Sequence, residues 1–228
     1  LSFEPRPLKW PPIFPVEKGL VLWLPFDDRS GSKAYDRSGK GNHGTLYGPT
    51  WVAGPRGSAL SFDGSNDYVE VADSPSLRPD AFTVMLWLNV ISWNRNWAQY
   101  LSKEEVGGSH ASFRIQRRSN TAQIRFQSFN GVSDRSLNST TLLNLGTWYH
   151  LCMTYSAVGL RGYVNGALES ATVPYTLSPY GAYPVYLGRD TAGGYGNAII
   201  REARIYSRAL TAQEIKRHYE SELLIVRH

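Results

Sequence analysis

Cysteine is almost missing from this chain. Cys152 is the single one among 228 residues, which excludes an internal disulfide and leaves the fold to depend on its core. It lies in the apolar run Tyr149-His150-Leu151-Cys152-Met153, where a small buried hydrophobe is the expected role. Histidine is scarce too. Five are scattered with no paired spacing, which argues against zinc. No apolar run is long enough to span a bilayer, and no signal-peptide core is present, so membrane insertion is not expected. Leu1 opens the chain inside a proline-rich stretch, LSFEPRPLKWPPIFP, which reads as part of a longer or processed protein. The charge balance is modest, 24 Lys and Arg against 19 Asp and Glu, or +5. That suits loose attraction to anionic polymers. The only compact basic groups are Arg114, Arg117 and Arg118 with Arg125, and Arg201, Arg204 and Arg208. They read mostly as solvated faces, and without a nucleic-acid module pattern no nucleic-acid partner is expected.

Aromatic residues are abundant, with 7 Trp, 14 Tyr and 8 Phe, enough to build a core. Residues 1–18 read as a proline-rich arm or linker, and 19–228 as one domain. Beyond residue 19, short β-branched and aromatic segments recur between glycine and asparagine turns. Strands are predicted at about 20–25, 44–47, 58–63, 67–71, 81–91, 98–102, 112–117, 122–127, 148–155, 160–165, 168–173, 184–188 and 198–206. In 82–88 both faces are apolar, as in a central strand. Phe113 and Ile115, then Ile124 and Phe126, share one face, with Arg114, Gln116, Arg125 and Gln127 opposite. Asn165-Gly166 marks a two-residue hairpin. One helix is expected from Thr211 to Tyr219, opened by a Thr211–Glu214 capping box. The sum is an all-β chain: a two-sheet antiparallel sandwich with one short C-terminal helix.

Two loops have the composition of a carbohydrate site, where aromatic platforms meet planar polar groups. Residues 92–100 carry Trp93, Arg95, Trp97 and Tyr100; residues 180–197 carry Arg189, Asp190, Tyr195 and Asn197. Arg114 and Arg125 complete the candidate ligand-binding set. For Trp93 and Trp97, capping the sandwich end is the competing role. Glycoside hydrolysis needs two carboxylates across a cleft. No acid repeats at alternating strand positions, and the adjacent Glu104 and Glu105 point apart. A lyase could be built from Arg114, Gln116, Arg125, Gln127 and His150, but nothing specifies it, so no catalytic residue is assigned. A third loop, Gly19–Leu46, brings Asp27, Asp28 and Asp36 among glycines. That suits either a calcium site or a long surface turn.

Five segments in order, GLVLWLPFDD…YDRSGKGNHGTL, ALSFDGSNDYVEV, FTVMLWLN, GTWYHLCMTY with GYVNGALE, and IREARIYSRALTAQEI, together resemble the concanavalin A-like (laminin-G-like) jelly-roll domains. The resemblance implies a lectin-type binding and adhesion module of a larger secreted, cell-surface or virion protein. A glycan or polysaccharide, acidic ones included, or a protein at such a surface would be the partner, met at the rim of the concave face. Enzymes on the same fold are the alternative. The resemblance also implies a structural calcium held by Asp27, by carbonyls from Gly41 to His43, and by Glu202. Arg201 stands where relatives often carry aspartate, so an Arg–Asp ion pair is the competing reading of that loop.

Overall fold

The computed structural model describes residues 18–223 apart from positions 56, 106, 108–109, 173 and 178–180. The arm expected over 1–18 lies, Lys18 excepted, outside them. Two antiparallel sheets make a sandwich. Sheet A runs β14 (Ala167–Ala171), β13 (Gly159–Val164), β12 (Trp148–Ser156), β7 (Phe82–Val90), β16 (Asn197–Tyr206), β5 (Gly57–Asp63) and β4 (Thr50–Gly54), and β1 (Leu20–Leu24) also pairs with β16. Sheet B runs β11 (Asp134–Asn138), β10 (Ile124–Phe129), β9 (Ala111–Arg117), β8 (Gln99–Glu104), β15 (Val185–Leu187), β6 (Tyr68–Val71), β3 (Gly44–Tyr47) and β2 (Lys33–Ala34). Helix α1 (Ala212–Leu223) follows β16.

Alternation decides which face each strand buries. Phe82, Val84, Leu86, Leu88 and Val90 of β7 meet Phe113, Ile115, Ile124 and Phe126 of sheet B in the central core. The opposite face of β7 is buried as well. Met85 packs with Leu20, Cys152, Tyr163, Tyr206, Leu210 and Ile215 beneath α1, which is why the strand is apolar on both sides. Burial pushes the Cys152 thiol well above its usual range, as an inert core cysteine requires. Gly162 lets the sheets approach closely. A Cβ there would lie 2.7 Å from Phe126 and 2.8 Å from Leu137.

The helix begins where its capping box predicts. Thr211 N–H donates to Glu214 at 2.8 Å, and Glu214 N–H donates back to Thr211 Oγ1 at 3.2 Å. Asn165 and Gly166 both take positive φ, 51° and 76°, in the β13–β14 hairpin, as that turn demands. One extra residue interrupts β16. The register against β7 shifts between Arg201 and Ala203, and Glu202 sits there at φ 58°. The bulge keeps Ile200 and Ala203 both in the core. Trp148, which opens β12, is only half-buried.

Candidate ligand-binding site

The outward face of sheet B is polar because its strands alternate in register. Asn138, Arg125, Gln116 and Gln99 form one cross-strand row. Ser136, Gln127, Arg114, Ser102, Tyr186 and Glu70 form the next. In the middle, Gln99 Nε2 donates to Gln116 Oε1 at 2.5 Å, and Gln116 Nε2 donates to Gln127 Oε1 at 2.9 Å. Gln99 Oε1, at the end of this amide chain, is buried without a hydrogen-bond partner.

Arg114 Nη2 binds Glu104, a fully buried carboxylate whose other oxygen accepts from Thr191 N–H at 2.7 Å. Burial raises the Glu104 pKa, with Arg114 pulling the other way. This pair ties the strand floor to the loop carrying Arg189 and Asp190. Asp190 shapes that loop by accepting from Ala192 N–H at 2.9 Å and Gly194 N–H at 2.6 Å. Arg189 lies between two rings, 4.1 Å from the centroid of Tyr68 and 4.4 Å from that of Tyr186. Burial opposes its charge, but Tyr186, Tyr195 and Tyr68 outweigh it and raise the pKa. Tyr47 stacks on Tyr68 at 4.5 Å and is exposed. Trp97 stands at the other end, 40% exposed at φ 60°, with Arg125 5.3 Å from its ring centroid.

Six of the residues named from the sequence thus gather on one surface: Trp97, Arg114, Arg125, Arg189, Asp190 and Tyr195. Arg95 joins them at the rim, donating to the Gly193 carbonyl. Three others do not. Tyr100 is 1% exposed and packs in the core, because a bulge opposite Ile115 and Gln116 turns it inward. Trp93 is half-buried against the core under Arg117, which is 4.8 Å from its ring. Its capping role is the one realised. Asn197 begins β16 in sheet A, paired to Asp63. Gln99 and the tyrosines Tyr47, Tyr68 and Tyr186 escape the sequence reading, in which Gln116 and Gln127 figure only as lyase candidates and Glu104 only as an unpaired acid. The alternation Tyr68-Val69-Glu70-Val71 was the available signal. His150 lies on the far side of the molecule, buried at 5.3 Å from Trp87 beneath α1, so it shares no site with Arg114.

The acidic loop closes as a turn with an Arg–Asp ion pair, the cation being Arg37 rather than Arg201. Arg37 Nη2 lies 3.4 Å from Asp27 and 3.3 Å from Asp28, both outer oxygens on one guanidinium. Asp36 is the hub of the turn, accepting from Trp23, Ser38 and Asn42 N–H groups at 2.9 Å each. Burial works against that charge, but these donors together lower the Asp36 pKa. His43 Nδ1 accepts from Asp36 N–H at 3.0 Å, and the Gly41 carbonyl accepts from His43 N–H at 2.9 Å. Glu202 is held by Arg204 and, at 3.4 Å, by Arg201. Among the described residues no group of three or more His, Cys, Asp or Glu is placed to hold a metal ion. The two carboxylates expected to face a calcium ion face guanidinium groups here, Asp27 that of Arg37 and Glu202 that of Arg204.

A family model described as the concanavalin A-like lectin/glucanases superfamily matches residues 63–216. The chain belongs to this superfamily. No curated protein matches the sequence. Among solved structures, it is similar to the binding domain of Paraclostridial Mosquitocidal Protein 1, with TM-score 0.73 and 15% identity over 90% of this chain and 53% of that one. It is also similar to domain 4 of AbnA, an extracellular GH43 arabinanase from Geobacillus stearothermophilus, in complex with arabinotriose, with TM-score 0.71 and 17% identity over 86% of this chain and 96% of that one. A third likeness is the binding domain of botulinum neurotoxin DC in complex with rat synaptotagmin II, with TM-score 0.68 and 15% identity over 91% and 52%. The chain spans about half the length of the two toxin domains. At these identities the likeness is one of fold. The two toxin structures are binding domains, and among the described residues of this chain no helix is long and apolar enough to cross a membrane.

Proposed function

We propose that this chain is a non-catalytic glycan-binding module of a larger secreted or surface protein, and that it meets sugar on the outward face of sheet B. One observation carries the reading. An exposed tryptophan, Trp97, is fixed beside a row of three linked glutamine amides and two arginines. Indole offers a face for the apolar side of a pyranose, and amides and guanidinium groups offer planar partners for hydroxyls. Glu104, the carboxylate held by Arg114 on this face, is buried against Arg114 and Thr191. It offers no free oxygen to a reacting bond, which favours binding over hydrolysis. In the acidic loop, we read Arg37 as taking the place of a structural cation.

A glycan array probed with the wild type and with Trp97→Ala tests this. Binding to at least one glycan, lost in the variant, is the expected result. A blank array would turn the reading to a protein partner, for which Val132, 88% exposed between β10 and β11 at the edge of the same sheet, is the first contact to change.

A further inference from the structure

Charged side chains buried around sheet B find partners of several kinds: Arg117 binds the backbone carbonyls of Thr121, Trp93 and Arg95, and Arg189 lies between the rings of Tyr68 and Tyr186. Arg114 has Glu104, and Lys103 and Arg78 share Asp73. Arg125 has no carboxylate within ion-pair distance among the described residues. Its Nη2 donates to Ser136 Oγ at 2.7 Å, and its Nε is buried with no hydrogen-bond partner. Burial lowers its pKa. Asp134 offsets part of this, while Arg118 and Arg114 add to it. A half-buried cation among cations is costly unless something else pairs with it. This guanidinium also sits 5.3 Å from the exposed ring of Trp97. A pyranose bound at that indole would bring its ring substituents close to this guanidinium.

Resting on the glycan-binding reading above, we infer that Arg125 is the anion seat of this face, and that the sugar it selects bears a carboxylate on its ring, as a hexuronate does. A guanidinium matches a carboxylate in geometry and charge, and such charge-assisted bonds are the strong ones. Arg114, already committed to Glu104, positions the amide row beside it, and Trp97 supplies the stacking surface.

Isothermal titration with polygalacturonate and hyaluronan oligosaccharides, each beside its carboxyl-reduced product, tests the assignment. The variants are Arg125→Gln, Trp97→Ala and Lys40→Gln, each first shown folded by thermal melting. The wild type is expected to prefer the carboxylated chains by about tenfold or more. Arg125→Gln should erase that preference, so that the variant binds acidic and reduced chains alike. Lys40→Gln removes the same charge from the loop beside β1 and should keep the preference, which separates a seat from general attraction to a basic protein. Equal binding of acidic and reduced chains, or a preference that survives Arg125→Gln, overturns the anion seat while glycan binding stands. Tighter binding of dextran sulfate than of carboxymethyl dextran overturns the carboxylate in favour of a sulfate ester. A wild type that binds none of these chains, or a Trp97→Ala protein that binds them all as before, removes the glycan reading itself and the inference with it.

Discussion

Arg114→Leu strips a fully buried carboxylate of its cation. Glu104 would keep only Thr191, whose N–H donates at 2.7 Å and whose hydroxyl lies at 3.4 Å. Breaking a buried pair from one side costs about 3–5 kcal/mol, because the remaining charge stays desolvated. For a domain of this size, that lowers the melting temperature by about 6–20 °C. The loss depends on pH with a definite sign. Burial already raises the Glu104 pKa above its ordinary 4.5, and without Arg114 it rises further. A carboxyl whose folded pKa exceeds its unfolded value destabilises the protein as pH climbs through that window, by a constant amount above it. Arg114→Leu should therefore cost less at pH 4 than at pH 7. The double change Glu104→Leu with Arg114→Leu removes both charges and should recover most of the loss. Urea unfolding of all four proteins, followed by tryptophan fluorescence at both pH values, measures the coupling. Single losses that simply add, within about 0.5 kcal/mol, would refute the idea that the pair acts as a unit.

Two more outcomes follow from named contacts. Glu214 is held by Arg208 through two hydrogen bonds, at 2.7 and 3.0 Å, and its pKa is lowered to about 2 from 4.5. This stabilisation is fully present above pH 4.5 and disappears as pH falls toward 2. Glu214→Gln should cost about 0.5–1 kcal/mol at pH 7, since the pair is only partly buried and solvent screens it, and next to nothing at pH 2. Melting with millimolar calcium and then with chelator should give the same midpoint, because Arg37 occupies Asp27 and Asp28; a calcium-dependent rise of several degrees would show that the loop does hold a cation.

The sandwich and its single helix were legible because alternation, the Asn165-Gly166 turn and the capping box agree with one another. Three strands were not. Lys33–Ala34 is two residues long, Asp134–Asn138 has Leu137 as its single apolar residue, and Thr50–Gly54 is a half-exposed edge. Each takes its conformation from a neighbouring strand rather than from its own pattern. The site was legible in part. Composition marked the loops around Trp97 and Arg189, but it could not see the bulge that turns Tyr100 inward. Nor could it see that the amide row arises across three strands, since register is a property of pairing. The guanidinium facing Asp27 was sought at Arg201 and found at Arg37, because the loop folds back on itself within ten residues.

The place of β16 in the sheet has a consequence for synthesis. The last strand made lies between β7 and β5 and also carries β1, so sheet A has no centre until residue 206 has emerged. At ribosomal rates of about 5–20 residues per second, β7 waits roughly 6–25 seconds for that partner. Its nine residues, all buried in the finished domain, are sticky for that whole interval. β12 can pair with one edge of β7 earlier, but the other edge stays an open template for wrong strand pairing until β16 arrives.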